Sequence, residues 1–304
     1  FYFKDASVLW LKKISGTSSE FINYWLKSSL MGQQLEQGKG ATVDTLTIRK
    51  LRSLKLKLPS LQEQKRIVAI LDDAFAAINS AIANSEKTLS NIRELIDSRL
   101  AKIFEGKTNE WESRKLGETC TLRNGRAYKK AELLTEGKYK VLRVGNFFTN
   151  RQWYYSDLEL DDSKYCSNGD LLYAWSASFG PHVWTGDKTI FHYHIWRVDV
   201  DETLVTKRFL FHWMNWDAER IKSEQGAGTT MIHVSKRSME ARLIIFPSIL
   251  EQDQICDDLE AVIAKSEILN IGAERKIQVL NELKQSILRK AFAGDLSMEG
   301  SAYE

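Results

Sequence analysis

LPSLQEQKRI at residues 58–67 and FPSILEQDQI at residues 246–255 are two copies of one stretch of sequence. The offset between them is 188 residues, and it aligns the surrounding chain without a gap. Identical pairs at this offset are Pro59 with Pro247, Ser60 with Ser248, Glu63 with Glu251, Gln64 with Gln252, Ile67 with Ile255, Glu94 with Glu282, Leu95 with Leu283, Ser98 with Ser286, Leu100 with Leu288, Lys102 with Lys290, Phe104 with Phe292 and Gly106 with Gly294. An alignment maintained over this distance indicates an internal duplication.

A capping box begins a helix in each copy. Ser60-x-x-Glu63 and Ser248-x-x-Glu251 both follow a proline directly, which is typical of a helix start. Apolar residues then recur every three or four positions, as in the seam of a coiled coil. The predicted seam positions are Phe75, Ile78, Ile82, Ser85, Leu89, Ile92, Ile96, Arg99 and Ile103 in the first copy, and Leu259, Val262, Ser266, Leu269, Ala273, Leu280, Leu283 and Ile287 in the second.

Both helical patterns continue without proline to a glycine, Gly106 in one copy and Gly294 in the other. A helix of about 44 residues would be roughly 65 Å long, since each residue adds about 1.5 Å. A helix of that length with a single apolar stripe requires a partner, and its own duplicate is the obvious one. We therefore expect the two long α-helices to pair as an antiparallel coiled coil.

The segments outside the helices predict mixed α/β domains. In residues 1–58 we expect a strand at FYFKDASVLWLKK, a helix over residues 20–34, a turn at GKGAT, and a strand at LKLKL that Pro59 ends. Residues 107–246 contain short aromatic and β-branched runs, expected to be mainly strands, and a helix over residues 204–224. The expected fold class is α+β, with two mixed α/β domains, the first one incomplete, separated by two long α-helices.

These patterns divide the chain into five expected segments. They are residues 1–58, the C-terminal part of the first domain; residues 59–106, the first helical region; residues 107–246, the second domain; residues 247–294, the second helical region; and residues 295–304, a tail. Phe1 is not a start methionine, so we expect the chain to be a fragment or a processed product.

The composition is that of a globular protein without a strong charge bias. The chain has 43 Lys and Arg against 40 Asp and Glu, a net charge of +3, so a basic binding surface must be local. Cys120, Cys166 and Cys256 form no C-x-x-C pair, which predicts reduced thiols. No apolar run is long enough to suggest a membrane span and no signal peptide is recognised, so a cytoplasmic location is expected.

Motifs for catalysis, nucleotide binding and metal binding are absent from the sequence. No proline precedes a second proline or an aspartate, which excludes the N-P-P-F/Y motif of amino-methyltransferases and the P-D…(D/E)-x-K motif of nucleases. GQQLEQGKG at residues 32–40 lacks the glycine spacing and the Ser or Thr of a phosphate loop. His192 and His194 could bind a metal together with Cys166 or His182, but this spacing matches no zinc pattern, and the alternative is ordinary strand histidines. We expect no catalytic and no metal-binding residue.

Two stretches of the second domain are candidate binding loops. LRNGRAYKK at residues 122–130 combines Arg, Asn, Tyr and Lys in a predicted turn with strand flanks, which suits contacts to phosphates and base edges. The alternative is a solvated face of a mildly basic protein. WSASFG at residues 175–180 is the second candidate, and it could equally be a tight turn packed on the core. The duplicated architecture favours DNA binding for the first loop.

Two globular units, each followed by P-x-x-x-E-Q-x-x-I and a long heptad helix, resemble the specificity subunit of type I restriction–modification systems. The shared features also include G-x-G-x-T before each helix start, W-x-x-x-K-L-G-E at Trp111–Glu118 and GDLLYAWSASFG at residues 169–180. The resemblance covers essentially the whole chain. One departure is that Phe1 falls on Thr189 at the offset of 188, so the first domain lacks the counterpart of residues 107–188. Either the chain is truncated, or its ordered part begins there; self-association with another copy could supply the missing half.

The resemblance implies a non-catalytic DNA-recognition subunit. Each target-recognition domain would read one half of a bipartite site in double-stranded DNA, and the helices would set the spacer and dock two methyltransferase (modification) subunits. ATP-dependent restriction subunits would complete the complex. S-adenosylmethionine, ATP and Mg would bind to those partners, and no cofactor would bind to this chain. The alternative function is a coiled-coil scaffold whose globular domains bind protein partners.

The residues expected to contact DNA lie in the two candidate loops, in the segments that follow them, and in the two glycine turns. They are Arg123, Asn124, Arg126, Tyr128, Lys129, Lys130, Arg143, Asn146, Trp175, Ser176, Ser178, His182, Lys39, Thr42 and Thr230.

Overall fold

The computed structural model describes residues 11–12, 15–28, 48–106, 110–148, 152–176, 179–224 and 233–295. The chain forms two compact units, one made of residues 1–91 and 268–304 and the other of residues 92–267. Both long helices contribute residues to each unit. The units therefore follow a different division from the five predicted segments, whose boundaries remain predictions.

The regular elements are helical in the described part of the first unit and mixed in the second. The helices are α1 (Ser19–Lys27), α2 (Ile48–Ser53), α3 (Leu61–Phe104), α4 (Val144–Phe148), α5 (Lys207–Glu224), α6 (Lys236–Glu240) and α7 (Ile249–Ala293). The strands are β1 (Glu112–Lys115), β2 (Cys120–Asn124), β3 (Tyr139–Leu142), β4 (Tyr154–Ser156), β5 (Tyr165–Cys166), β6 (Leu171–Ala174), β7 (Gly180–Val183), β8 (Thr189–Phe191), β9 (Ile195–Val200) and β10 (Leu243–Phe246). Short 3-10 helices lie at Leu116–Glu118, Lys130–Glu132 and Asp162–Lys164.

The long helices α3 and α7 begin where the duplicated stretch predicts. The Glu63 N–H donates to Ser60 Oγ at 3.3 Å, and the Glu251 N–H donates to Ser248 Oγ at 3.4 Å. These bonds satisfy backbone donors that the first turn of a helix leaves without a partner. α7 is followed by Gly294 with a φ of +99°, a conformation that glycine adopts at little steric cost. The predicted helix starts are confirmed.

In the first unit, the beginning of α3 packs against the end of α7. Lys284 Nζ of α7 donates to Asn79 Oδ1 of α3 at 2.8 Å and lies 5.4 Å from the centroid of the Phe75 ring. Low-numbered residues of α3 thus meet high-numbered residues of α7, which confirms the antiparallel pairing. The buried cluster of this unit comprises Phe21, Ile67, Leu71, Phe75, Ile78, Leu288 and Ala291.

An aromatic contact joins the end of each long helix to a shorter helix of the same unit. In the first unit, Phe292 of α7 packs edge-on against Phe21 of α1, with ring centroids 5.0 Å apart. In the second unit, Phe104 of α3 packs in the same way against Phe209 of α5 at 5.3 Å. The offset of 188 relates the two pairs residue by residue. The duplication therefore extends from the sequence to the packing.

The strands among the described residues of the second unit form three sheets. One four-stranded antiparallel sheet has the order β2-β9-β6-β7, and the other has the order β4-β3-β8-β5, in which β3 and β8 are parallel. β1 and β10 form a two-stranded antiparallel pair. The helix α5 packs on β7. Residues 110–246 are therefore mixed α/β, as predicted.

Buried aromatic side chains dominate the core of the second unit. Trp196 of β9 and Tyr173 of β6 stack with ring centroids 6.0 Å apart, and both are fully buried with Trp213 of α5. Side chains of this size supply most of the apolar area that a mixed domain buries. Two smaller clusters involve the second sheet: one joins its Leu142 and Phe191 to Ile195 of the first sheet, and the other comprises Val141, Tyr165 and Ile190.

Two predictions for the first domain are wrong. Residues 54–58 form no strand: their counterpart β10 pairs with Glu112–Lys115, whereas no strand among the described residues pairs with residues 54–58. The helix expected over residues 20–34 ends at Lys27, with extended Ser28 at its C-cap. FYFKDASVLWLKK lies almost entirely, and both glycine turns entirely, outside the described residues.

The predicted seam of α7 is wrong at two positions. Leu269 is 57% exposed and Leu283 is 45% exposed, whereas Leu288 is buried. Ser266 and Ala273, the predicted seam positions on either side of Leu269, are buried, so the contact face here is narrower than two positions per heptad.

One 18-residue window of α3 has a mean hydropathy of 1.4 and, by length and composition alone, could cross a membrane. This differs from the expectation that no run of the sequence is so apolar. Ile67, Leu71 and Ile78 of the same helix are buried against α7 in the first unit. Such burial is typical of an amphipathic core helix.

Candidate nucleic-acid interface

A tight turn between β8 and β9 connects the two candidate loops of the second unit. It comprises His192, Tyr193 and His194, and we name it the His192–His194 turn. The Tyr193 N–H donates to the carbonyl oxygen of Arg126 at 3.1 Å. The Trp175 Nε1–H donates to the carbonyl oxygen of Tyr193 at 2.8 Å. Both candidate loops are therefore bonded to the same residue of the turn.

Gly125 permits the close approach of the first loop to this turn. Its N–H donates to the carbonyl oxygen of Ile195 at 3.2 Å. A Cβ atom at this position would lie 2.4 Å from the carbonyl oxygens of both Phe191 and His192. Only glycine fits at this position, because it alone lacks a Cβ atom and lets two backbone segments approach closely.

Trp175 is the centre of an aromatic cluster next to the turn. Its ring stacks on the buried Trp196 with centroids 5.8 Å apart and meets the His194 ring edge-on at 5.0 Å. His233, whose backbone forms a bridge with Ser176, lies 5.4 Å from the Trp175 ring. Aromatic pairs of this kind contribute roughly 0.5–1.5 kcal/mol beyond their burial. The cluster thus fixes the second candidate loop against the turn.

Tyr193 occupies the tip of the turn. The residue is 40% exposed, and its ring centroid lies 4.4 Å from that of His192 and 4.0 Å from that of His194. Tyr193 is therefore partly open to solvent, and both imidazoles, whose centroids are 4.9 Å apart, pack toward the same side of its ring.

The two histidines of the turn are uncharged at neutral pH. Burial, followed by the charges of His194 and Arg143, lowers the pKa of His192 to about 4. Burial, followed by the charge of His233, also lowers the pKa of His194. A neutral imidazole carries one N–H donor and one acceptor nitrogen. The turn therefore offers hydrogen bonds and ring surfaces rather than positive charge.

Arg126 is ion-paired within its own loop. Its two terminal nitrogens donate to the carboxylate of Glu132 at 3.0 and 2.8 Å, and its guanidinium lies 5.3 Å from the centroid of the Tyr128 ring. The Glu132 carboxylate raises the pKa of Arg126, and the guanidinium lowers the pKa of Glu132. The bidentate pair orients the arginine, and it competes with any phosphate for the same donors.

Lys129, Lys130 and Arg143 add basic groups to this part of the unit. Lys129 and Lys130 are exposed at the start of the short helix Lys130–Glu132. Among the residues that the structure describes, neither ammonium group lies within ion-pair distance of a carboxylate. The guanidinium of Arg143 lies 5.3 Å from the Tyr154 ring, and the Arg143 N–H donates to Asn146 Oδ1 at 3.0 Å. Asn146 of α4 thus bonds the backbone of the residue that precedes this helix.

Other predicted contact residues lie along the strands. Arg123 on β2 donates to the Asp199 carboxylate at 3.0 Å, which Arg197 also contacts at 2.8 Å. The carbonyl oxygen of Asn124 accepts from Lys164 Nζ at 2.8 Å. The Arg123 contacts lie on a charged face of the first sheet, whereas Asn124, the next residue of β2, points to the opposite face and its contact involves only its backbone.

The remaining predicted residues have different surroundings. The ring of His182 on β7 packs on Phe147 at 4.6 Å, and Ser176 is buried. Lys39, Thr42, Ser178 and Thr230 lie outside the described residues. The structure therefore brings Arg126, Tyr128, Trp175 and Ser176 together around the turn, and the DNA-contact role of every predicted residue remains a prediction.

Sequence reasoning did not include Tyr193, His194 or His233 among the contact residues. The H-Y-H pattern was the available signal, but we considered it only as one face of a strand that could bind metal. The turn conformation instead groups the Tyr193 ring and the two imidazoles in a triangle, in which the imidazole centroids lie 4.9 Å apart. No local pattern in the sequence connects His233 to Trp175.

The described residues contain no cluster of three or more His, Cys, Asp or Glu side chains that could bind a metal ion. All three cysteines are free and buried, and burial raises the pKa of Cys120, Cys166 and Cys256 to about 12. Such thiols are protonated at neutral pH and are poor nucleophiles.

Comparison with known proteins identifies one consistent group of relatives. A family model described as type I restriction modification DNA specificity domain matches residues 1–88 and 108–279. The type I restriction enzyme StySPI specificity subunit of Salmonella potsdam is 23% identical over 315 residues, which is 94% of this chain and 67% of the relative. The EcoBI specificity subunit of Escherichia coli is 22% identical over 212 residues, 69% of this chain and 44% of the relative. The chain thus spans about half to two thirds of the length of these curated relatives.

Solved structures share the fold. A chain from a study of complex assembly and conformational transition of the type I R-M system superposes with a TM-score of 0.78 at 19% identity, covering 90% of this chain and 70% of the other. The HsdS subunit from Thermoanaerobacter tengcongensis gives a TM-score of 0.57 at 19% identity, covering 91% and 70%. At this identity the similarity concerns the architecture, in which long helices accompany mixed α/β domains.

Proposed function

Because the chain belongs to the family of type I restriction modification DNA specificity domains, we propose that it is a non-catalytic subunit that recognises double-stranded DNA. The observation that carries the proposal is the His192–His194 turn, in which two loops of separate sequence origin meet on one exposed aromatic residue. Fixed loops that present aromatic rings and hydrogen-bonding groups suit base-edge recognition.

Positive charge for the phosphate backbone comes from the neighbouring loop. Lys129 and Lys130 are exposed, and Arg143 lies at the end of β3. Phosphate contacts of this kind position a protein on the duplex without reading its sequence. The basic groups therefore supply affinity, and the turn supplies discrimination.

The duplication supports a bipartite site. The Phe104–Phe209 and Phe292–Phe21 contacts are equivalent at the offset of 188, so each copy attaches its globular part to a long helix in the same way. We assign one half of the DNA site to each globular copy and the spacer between the halves to α3 and α7. Helices of 44 and 45 residues are long enough to separate two readers by several base pairs.

The helices also provide a surface for partner subunits. On α7, Ile268 is 71% exposed and Ile271 is 65% exposed. Each residue of a helix turns by about 100° around its axis, so these two residues and Val279 lie within an arc of about 80° and form one stripe. Exposed apolar stripes commonly mark protein-binding surfaces. We assign this stripe to a methyltransferase (modification) subunit and propose that restriction subunits complete the complex in the cytoplasm. S-adenosylmethionine, ATP and Mg are assigned to those partners.

Selection of DNA from a randomised duplex pool tests the function. The chain, alone and combined with its modification subunits, is expected to enrich duplexes that share two short half-sites at one fixed spacing. Enrichment of no shared sequence under either condition would reject the proposal. A coiled-coil scaffold that binds only protein would give that negative result.

The docking surface is tested separately with Ile268→Asp combined with Ile271→Asp. These exposed changes are expected to abolish co-purification with the modification subunit, while the circular dichroism spectrum and the affinity of the isolated chain for DNA stay unchanged. Lys265→Ala, an exposed change on the same helix, is the matched control and should retain the partner.

A further inference from the structure

Tyr193 combines an exposed side chain with an immobilised backbone. Its N–H donates to the Arg126 carbonyl oxygen at 3.1 Å, and its own carbonyl oxygen accepts from Trp175 Nε1 at 2.8 Å. Both polar backbone groups are therefore satisfied by residues from two other segments. The residue as a whole nevertheless remains 40% exposed. The backbone hydrogen bonds therefore fix the position of Tyr193, and part of the residue stays accessible to solvent.

Turn geometry alone does not require an aromatic residue at this position. Tight turns favour Gly, Asn, Asp, Ser and Pro, because these residues adopt the turn conformation or hydrogen-bond locally. Tyr193 is instead followed by His194 and preceded by His192, so three consecutive rings form the turn. An exposed, preorganised aromatic residue is typical of a recognition contact, since little conformational entropy is lost when it binds.

The charge of the surroundings favours a nucleobase over a phosphate. His192 and His194 are neutral at physiological pH because burial lowers their pKa values. The guanidinium of Arg126 is already paired with Glu132, and that of Arg143, whose charge acts on His192, lies 5.3 Å from the centroid of the Tyr154 ring. A phenol ring beside neutral imidazoles offers an apolar edge, one hydroxyl group and ring nitrogens. These groups match the thymine methyl group and the donors and acceptors at base edges.

We propose that Tyr193 is a specificity-determining residue that contacts a base edge in the half-site read by the second globular copy. The inference rests on the proposed function and names the residue through which that function discriminates sequence. Trp175 and Gly125 act as positioning residues: the first bonds the turn through its indole N–H, and the second lets the Arg126 loop reach it.

The test compares the wild-type chain with Tyr193→Ala in selections from a randomised duplex pool. The variant is expected to enrich the same site except at one or two adjacent base pairs, where the preference is lost. Its affinity for the wild-type site should fall roughly 10-fold to 100-fold, the range for one base contact. Its affinity for random duplex, and the salt dependence of both affinities, should stay unchanged, because no phosphate contact is removed.

Three variants serve as controls. Leu243→Ala removes another exposed apolar side chain of the same unit and should leave the selected sequence intact. Lys130→Ala should weaken specific and random binding together, which is the signature of a phosphate contact. If Tyr193→Ala melts at a lower temperature than wild type, Tyr193→Asn replaces it, because asparagine suits turns.

The outcomes separate this inference from the proposed function. If the wild-type chain enriches a site and the Tyr193 variant enriches the same site with the same preference at every position, the role of Tyr193 is rejected and the function stands. An equal loss of specific and random binding would also reject it. If the wild-type chain enriches no site, the function itself fails, and the inference fails with it.

Discussion

Gln252 Oε1 accepts a hydrogen bond from the backbone N–H of Thr206 at 2.7 Å. The Nε2 group of the same side chain donates to the carbonyl oxygens of Leu204 at 3.0 Å and Pro247 at 2.9 Å. Gln252 is completely buried, so one side chain ties the start of α7 to the start of α5. The first unit repeats this arrangement at the offset of 188, with Gln64 bonded to Ser18 at 2.8 Å, Gly16 at 3.0 Å and Pro59 at 2.8 Å.

The amide connection predicts a large effect of Gln252→Ala. The substitution leaves one backbone N–H and two backbone carbonyl groups without their partner in a buried site. The free energy of unfolding should fall by about 2–4 kcal/mol, measured by chemical denaturation. Gln254→Ala, an exposed change on the same helix, should change it by less than about 0.5 kcal/mol. Equal stability of the two variants would contradict the bridging role.

The duplicated stretch made most of the helical architecture predictable. Ser60 and Ser248 cap helices that run to Phe104 and Ala293, because capping and apolar spacing are local properties. Gln64 and Gln252 were visible as matched residues, but their role depends on loops 46 to 48 residues distant in sequence. The strand expected at residues 54–58 failed for the same reason, since a strand needs a partner that local sequence does not supply.

The candidate site was only partly predictable. The composition of residues 122–130 and 175–180 pointed to two loops, but nothing local indicated that both bond to Tyr193. Long-range backbone hydrogen bonds and one close glycine contact bring the segments together. Residue type alone also failed to show that Arg126 is paired with Glu132.

Gly125→Ala should disturb the site from a distance. The added Cβ would lie 2.4 Å from two carbonyl oxygens of the turn, so the loop must shift. Overpacking of this kind costs about 1–3 kcal/mol, and the melting temperature and the preference for a specific duplex should both decrease. Gly272→Ala is the control, because a Cβ there meets no atom within 4 Å. That helical substitution should stabilise the chain by about 0.5–1 kcal/mol, and a similar loss in both variants would exclude the steric explanation.

His212→Tyr should reduce the loss of stability at mildly acidic pH. His212 Nε2 contacts Glu260 at 3.1 Å, and burial lowers the pKa of His212 even though Glu260 opposes this effect. At the offset of 188 the first unit has Tyr24 bonded to Asp72 in the equivalent place. Tyrosine should therefore fit the site and keep the hydrogen bond to the long helix.

The sign of this effect follows from proton binding. A histidine whose pKa is lowered by folding binds its proton more readily in the unfolded chain, so stability decreases as the pH falls below about 6.5. Removing His212 should lower the slope of unfolding free energy against pH between pH 7 and pH 5, by at most about 1.4 kcal/mol per pH unit. Denaturation at several pH values measures it. An unchanged slope would show that His212 does not contribute to the pH dependence of stability. That dependence would then come from His182, His192 and His194, whose pKa values are also lowered.

Lys129→Ala combined with Lys130→Ala should weaken DNA binding uniformly across sequences. If each lysine contacts one phosphate, the slope of log affinity against log salt should become less steep by about 0.9 per residue on duplex DNA. Titrations at several salt concentrations with specific and random duplexes provide the measurement. Lys222→Ala is the control, since Lys222 is paired with Glu219 on α5, and it should leave the slope unchanged. A selective loss of specific binding would assign the lysines to base contacts instead.

Insertion of one heptad into both long helices should lengthen the spacer of the DNA site. The insertions belong between Glu86 and Lys87 in α3 and between Glu274 and Arg275 in α7, positions that are exposed and related by the offset of 188. Seven residues keep the apolar stripe in phase and add about 10 Å of helix. At about 3.4 Å per base pair, the selected half-sites should be unchanged and their separation should grow by about three base pairs. Insertion of seven residues into α3 alone is the matched control and should destabilise the pair, because the two helices no longer correspond in length. An unchanged spacer in a stably folded double-insertion variant would reject the role of the helices in setting it.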